Sequence, residues 1–253
     1  MNFGRFAQMQ FMPPQPIDSK VDVSVILLCA SKHARVGADY YARRGKRLFD
    51  SIISAFGLIA LAPFLLFIAC YIKFASRGPV LFRQLRVGTD GRLFQILKFR
   101  SMLVDSAKRD LAITVSGDER ITAIGRLLRK YKIDELPQLW NVLRGDMSLV
   151  GPRPELRVYV DRYTPEQREV LSVRPGITDP ASLYYRDEER LLQESPDPEH
   201  LYCETILPHK LSLNLQYIAN VSMANDILII SSTIKSLFLP LRKGSIERPP
   251  ERL

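Results

Sequence analysis

Between Ser51 and Ile72 the chain reads SIISAFGLIALAPFLLFIACYI, 22 residues without a charge. As a helix this stretch reaches roughly 33 Å, about the thickness of the hydrocarbon core of a bilayer. Two features argue against a plain crossing. Pro63 sits near the middle, where it deletes a backbone hydrogen bond and disfavours helical geometry at Ala62. Cations flank the stretch on both sides, Arg43, Arg44, Lys46 and Arg47 before it and Lys73, Arg77, Arg83 and Arg86 after it, with no acid between Asp50 and Asp90. Positive flanks are retained on the cytoplasmic side. The sequence therefore predicts a re-entrant helix, broken at Pro63, that dips into one leaflet and returns; a single crossing is the alternative.

Charge narrows the partners. Lys and Arg outnumber Asp and Glu by 36 to 27, giving a net charge of +9. That excess points to nucleic acid, phosphorylated small molecules or an anionic lipid surface. Cys29, Cys70 and Cys203 lie far apart, and the histidines are His33, His200 and His209. This spacing supports neither a disulfide framework nor a zinc site. There is no G-x-G-x-x-G after a strand, no P-loop and no nucleophile elbow. No helix-turn-helix or zinc-finger spacing directs the charge to nucleic acid. Phosphate chemistry at a membrane surface remains.

Residues 78–102 read as two strand-like runs around Thr89-Asp90-Gly91, a hairpin turn signal. Alternation along the second run projects Lys98 and Arg100 together, either as an anion grip or as cations guarding a solvated edge. From Asp118 to Lys132, Ile121, Ile124, Leu127 and Leu128 recur at helical spacing, with Arg126, Arg129 and Lys130 off that stripe. The tail carries two helical patterns, 204–221 and 224–239, and the acidic, Pro-containing segment YYRDEERLLQESPDPEH before them reads as a short exposed helix plus loop.

Residues 130–141, KYKIDELPQLWN, place Asp134 and Glu135 side by side one turn after the cations. Asp134 suits a helix N-cap, Glu135 and Pro137 suit a first turn, and Leu136, Leu139, Trp140 and Leu143 form an apolar stripe ending at Gly145. Capping is one reading of the pair, worth about 0.3–1 kcal/mol through the helix dipole. The other is chemical: a carboxylate near phosphates can bind a hard divalent cation and can attack phosphorus, with its neighbour relaying a proton or positioning metal. Arg153 stands between Pro152 and Pro154, and Arg174 beside Pro175 and Gly176. Both are stiff loops suited to gripping phosphate.

The runs KRLFD (46–50), GPVLFRQLRVGTDGRLFQILKFRSM (78–102), LRKYKIDELPQLWNVLRGDMSLVGPRPE (128–155) and VRPGIT (173–178), with the Pro-interrupted apolar segment, closely resemble the bacterial sugar transferases. These are the monotopic phosphoglycosyl transferases that begin capsule, exopolysaccharide or O-antigen assembly, and the resemblance spans about residues 41–240. It implies transfer of sugar 1-phosphate from a nucleoside diphosphate sugar, usually a UDP-sugar, to polyprenyl (undecaprenyl) phosphate. By similarity Asp134 is the nucleophile that carries the phosphosugar and helps to bind Mg²⁺, and Glu135 is its dyad partner. Lys98, Arg100, Arg129, Arg153 and Arg174 are the expected phosphate-holding residues, and Pro63 the membrane kink. The chain departs from the family pattern at Ala62, where many members have Ser, and after Thr178, where DPASLYYRDEERLL replaces the usual GWAQ.

The expected architecture is a helix-rich α+β monotopic membrane protein in three parts: an extension, 1–40; a re-entrant membrane helix with basic flanks, 41–75; and a cytoplasmic catalytic domain with amphipathic C-terminal helices, 76–253. The expected setting is the bacterial inner membrane, with membrane lipid as a partner. A catalytically silent membrane-anchored module binding anionic lipid is the rival. The motifs carry no signature of a particular sugar or oligomeric state.

Overall fold

The computed structural model describes residues 45–75, 77–103 and 118–238. The expected extension, 1–40, lies outside them. Helix α1 spans Lys46–Ala75, 30 residues, and is long and apolar enough to cross a membrane. Strands β1 (Leu81–Val87) and β2 (Leu93–Phe99) pair antiparallel with Leu81 opposite Phe99 and Val87 opposite Leu93. Their tight turn, Thr89–Gly91, places Asp90 at φ 55° and Gly91 at φ 75°. Helix α2 (Ala123–Lys130) leads through a 3₁₀ turn, Ile133–Glu135, into α3 (Gln138–Arg144). Strand β3 (Ser148–Val150) then pairs in parallel with β4 (Gly176–Thr178). Short helices α4 (Arg157–Val160), α5 (Pro180–Tyr184), α6 (Glu188–Gln193) and α7 (Pro198–Leu201) surround α8 (Leu207–Ala219), and α9 (Met223–Phe238) closes the described chain. A π turn, Tyr202–Ile206, joins α7 to α8. The content is helix-rich α+β.

Helix α1 runs from Lys46 to Ala75 with Pro63 inside it, so the break expected at Pro63 does not interrupt this helix. Proline removes one backbone donor, and the turns on either side keep their own. What distinguishes α1 is that both of its ends are fastened to the same body. Near its start, Asp50 accepts from Ser148 Oγ at 2.8 Å and from Leu149 N at 3.1 Å, while Lys46 pairs with buried Asp226. Arg47 donates to the carbonyls of Val142 (2.5 Å) and Leu143 (2.8 Å), in the last turn of α3. Near its end, Ile68 and Ile72 pack with Phe99 and Leu128 in one apolar cluster. Between these anchors Phe56, Ile59, Leu66 and Phe67 are each at least 65% exposed.

A second cluster holds Ile96, Val142, Met147, Val150, Tyr217 and Ile229, and a third is built on Tyr159, Tyr163, Tyr185, Leu192, Tyr202 and Ile206. The 3₁₀ turn lies between α2, whose Leu128 meets the end of α1, and α3, which packs along its start. Asp134 and Glu135 are thus carried on a short link braced at both sides by the apolar helix.

Candidate active site

Local backbone geometry, rather than helix capping, presents the two acids. Lys132 adopts the left-handed conformation at φ 54° and starts the 3₁₀ turn, and no side chain caps it. Asp134 sits inside that turn, so the N-cap reading is overturned. Helix α2 is capped by Thr122, whose Oγ1 accepts from Gly125 N at 3.0 Å. At the far side Asn141 holds α3 to the hairpin, accepting from Leu97 N at 3.0 Å and donating to Gln95 O at 2.8 Å. This register brings Lys98, the penultimate residue of β2, over the turn.

Arg153 arrives from the opposite side. Its loop depends on a close approach of two glycines: a Cβ on Gly176 would lie 2.1 Å from Gly151 N. That contact lets Gly176 N donate to Pro152 O at 2.9 Å and Gly151 N to Thr178 O at 3.0 Å. The loop is also pinned from the hairpin, where Val87 N donates to Glu155 O at 3.0 Å and Arg86 Nη1 to Pro154 O at 3.2 Å. The prolines flanking Arg153 limit its backbone further.

These supports converge on Glu135, which is 6% exposed. Its Oε1 accepts from Lys98 Nζ at 2.9 Å and from Arg153 Nη2 at 2.7 Å, and its Oε2 lies 3.5 Å from Arg153 Nη1. Burial pushes the Glu135 carboxyl up, but Arg153, Lys98 and Lys132 together hold it well below the ordinary carboxylate range. Asp134, 5% exposed, is the opposite case: its buried Oδ1 has no hydrogen-bond partner among the described residues. Burial, then the neighbouring Glu135 charge, raises its pKa, opposed by Lys98, Lys132 and Arg129. One carboxylate is saturated with cations and the other presents an unpaired oxygen. A buried orphan acceptor costs about 1–3 kcal/mol, which makes it a candidate for chemistry.

Arg129, in the last turn of α2, forms an ion pair with Glu189 of α6 and adds to the positive field at Asp134. Arg100 Nη2 donates to the Ile72 carbonyl at 3.4 Å, so this bond ties the end of β2 to α1. Arg174 Nε donates to Gly145 O at 3.0 Å and lines a cleft of about 610 Å³ with Lys46, Arg47 and Arg92, whose walls include neither Asp134 nor Glu135. The structure thus gathers Asp134, Glu135, Lys98, Arg153 and Arg129, and places Arg174 in another cavity. Sequence reasoning missed Lys132, Asn141 and Glu189. Asn141 left a signal, a lone amide between the apolar residues Leu139 and Val142; the other two carried none.

A family model described as bacterial sugar transferase matches residues 41–240. A UDP-glucose:undecaprenyl-phosphate glucose-1-phosphate transferase of Caulobacter vibrioides is 40% identical over 195 residues, covering 76% of this chain and 69% of that protein. A UDP-N-acetylgalactosamine-undecaprenyl-phosphate N-acetylgalactosaminephosphotransferase of Aeromonas hydrophila is 37% identical over 76% of this chain, which spans only 43% of that protein's length. The exopolysaccharide production protein PSS of Rhizobium leguminosarum bv. phaseoli is 39% identical, with 76% of this chain and 94% of that one covered. The site described above falls wholly within the matched residues, and the chain belongs to the bacterial sugar transferase family of enzymes.

Proposed function

We propose that the protein transfers sugar 1-phosphate from a nucleoside diphosphate sugar, a UDP-sugar by analogy with its relatives, to undecaprenyl phosphate through a covalent intermediate on Asp134. The observation that carries this reading is the asymmetry of the dyad: Glu135 is consumed by Lys98 and Arg153, while Asp134 keeps a buried oxygen with no partner among the described residues.

In the first half-reaction an Asp134 oxygen attacks the sugar-linked phosphorus of the donor, forming an acyl-phosphate bond as the bond to the departing nucleoside monophosphate breaks. In the second, an oxygen of undecaprenyl phosphate attacks the same phosphorus. The acyl-phosphate bond breaks, the carboxylate is restored and the lipid diphosphate sugar leaves. Storing the phosphosugar on the protein lets a water-soluble donor and a lipid acceptor use the site in turn. Glu135 keeps Lys98 and Arg153 in place beside the attacked phosphate, and Arg129 and Lys132 add positive potential.

Asp134 suits Mg²⁺, a hard cation commonly held by one or two carboxylates plus substrate phosphates. Its Oδ1 would supply a donor, and among the described residues no group of three or more His, Cys, Asp or Glu forms a fuller cage. When bound, Mg²⁺ neutralises charge on the diphosphate; Asp134 is the residue that would hold it.

The membrane arrangement follows from the anchors of α1. A helix of 30 residues is about 45 Å long, and both of its ends are bonded or packed to the catalytic body, leaving an exposed apolar middle. This supports α1 as a monotopic, same-side element that sinks into one leaflet. With cationic residues at both ends, that leaflet is the cytoplasmic one of the inner membrane.

The test is a single-turnover assay without acceptor. Wild type with Mg²⁺ releases up to one equivalent of nucleoside monophosphate and then stalls until undecaprenyl phosphate is added. Release that needs the acceptor from the start contradicts the two-step scheme.

A further inference from the structure

The segment after Thr178, where this chain departs from the pattern of its family, folds back onto the site. Helix α6 carries two adjacent acids that face different partners. Glu188 accepts from Lys210 Nζ at 2.8 Å, and Lys210 is itself buried. Lys210 also lies 4.0 Å from Glu155, which accepts from Tyr202 OH at 2.8 Å. Behind α6, Leu191 and Leu192 are buried in the tyrosine-rich cluster. The helix is therefore fixed from one side by charge and from below by packing. On its other side Glu189 Oε1 meets Arg129 Nη2, with the two side chains 46% and 23% exposed.

Arg129 stands at the end of an eight-residue helix, five positions before Asp134. A long side chain there would otherwise sample many rotamers. The contact with Glu189 engages one of its terminal nitrogens, so the rest of the guanidinium fork can still meet a phosphate. Because Glu189 is half-exposed, solvent weakens its repulsion of a bound anion. What it contributes is placement.

We propose that Glu189 is a positioning residue that holds the Arg129 guanidinium toward the diphosphate of the donor, with Glu188 and Lys210 fixing the helix that carries it. The proposal rests on reading the Asp134 site as a phosphoglycosyl transferase centre. It assigns the substituted segment a role in donor affinity.

Inorganic pyrophosphate, the group common to nucleoside diphosphate donors, is the probe, titrated with Mg²⁺ into the full chain by calorimetry. Glu189→Gln is expected to weaken binding three- to tenfold, and Glu189→Asp to recover part of the loss. Arg129→Gln is expected to weaken it at least as much, and the double variant no further than Arg129→Gln alone, since coupled residues are non-additive. In nucleoside monophosphate release, Glu189→Gln is expected to raise the KM for the donor and leave kcat within twofold. Unchanged or tighter binding by Glu189→Gln, additive losses, or no pyrophosphate binding by wild type would each overturn the proposal. If wild type still releases nucleoside monophosphate in those cases, the enzymatic reading survives.

Discussion

Removing one negative charge from each of two adjacent residues is expected to shift stability in opposite directions. Glu135 is buried between Lys98 and Arg153, at 2.9 and 2.7 Å. Glu135→Gln leaves two enclosed cations without their counter-charge, and breaking such a pair from one side costs about 3–5 kcal/mol. Glutamine keeps the shape and one acceptor, so the lower end, about 3 kcal/mol, applies. At roughly 2–4 °C per kcal/mol for a domain of this size, the Tm falls by about 6–12 °C. Because the folded Glu135 pKa is depressed, this stabilisation is present above the unfolded value and is lost as pH falls through the folded one. The penalty of the substitution therefore shrinks in acid. Asp134 has the reverse sign: its folded pKa is raised, so its ionisation lowers stability as pH rises from the unfolded value through the folded one. Asp134→Asn removes that charge and is expected to raise the Tm by a few degrees at pH 7, about 1 kcal/mol, while abolishing turnover. Thermal unfolding of both variants in matched detergent, with circular dichroism as the readout, decides the point. Shifts of the same sign, or a Glu135→Gln change under 2 °C, refute the assigned electrostatics.

Three further outcomes follow from the same geometry. The acceptor-free burst is expected to slow as pH falls through the raised Asp134 pKa, so the acid limb of its pH–rate profile lies above 3.8; a limb at or below that value removes the burial argument. Gly176→Ala puts a methyl group 2.1 Å from Gly151 N, and is expected to destabilise by about 3 kcal/mol and to reduce turnover more than tenfold as Arg153 is displaced; near-native melting and activity count against the glycine contact. In a chain lacking cysteine, Leu48→Cys and Phe74→Cys, both at exposed positions, are expected to react with an impermeant maleimide applied from the cytoplasmic side; labelling of Phe74→Cys only from the opposite side shows a crossing helix.

Periodicity and turn chemistry made much of the fold readable. The hairpin around Thr89–Gly91 follows from its turn residues, and α9 from its apolar pattern. Asp134 was identifiable as a residue of interest, but its local setting was not. The N-cap expectation failed because left-handed Lys132 starts a 3₁₀ turn ahead of α3, a choice made by tertiary packing of Leu128 and Leu139 on either side. Arg174 resembled Arg153 as a cation in a Pro-Gly loop, yet the β3–β4 pair directs it toward Gly145 and a different cleft. Glu189 was hidden for another reason: it lies 60 positions from Arg129, and a single acidic residue in an acidic segment has no periodicity to betray its partner. Pro63 gave a real local signal, but the consequence for helix α1 depends on anchors at Asp50 and Ile72 that sequence spacing does not display.

The most direct measurement is intact-protein mass spectrometry after mixing wild type with Mg²⁺ and a UDP-sugar in the absence of lipid acceptor, followed by peptide mapping. A mass increase of one sugar phosphate is expected, localised to Asp134, that disappears on adding undecaprenyl phosphate and never forms in Asp134→Asn. An adduct on another residue, or full turnover by Asp134→Asn, contradicts it.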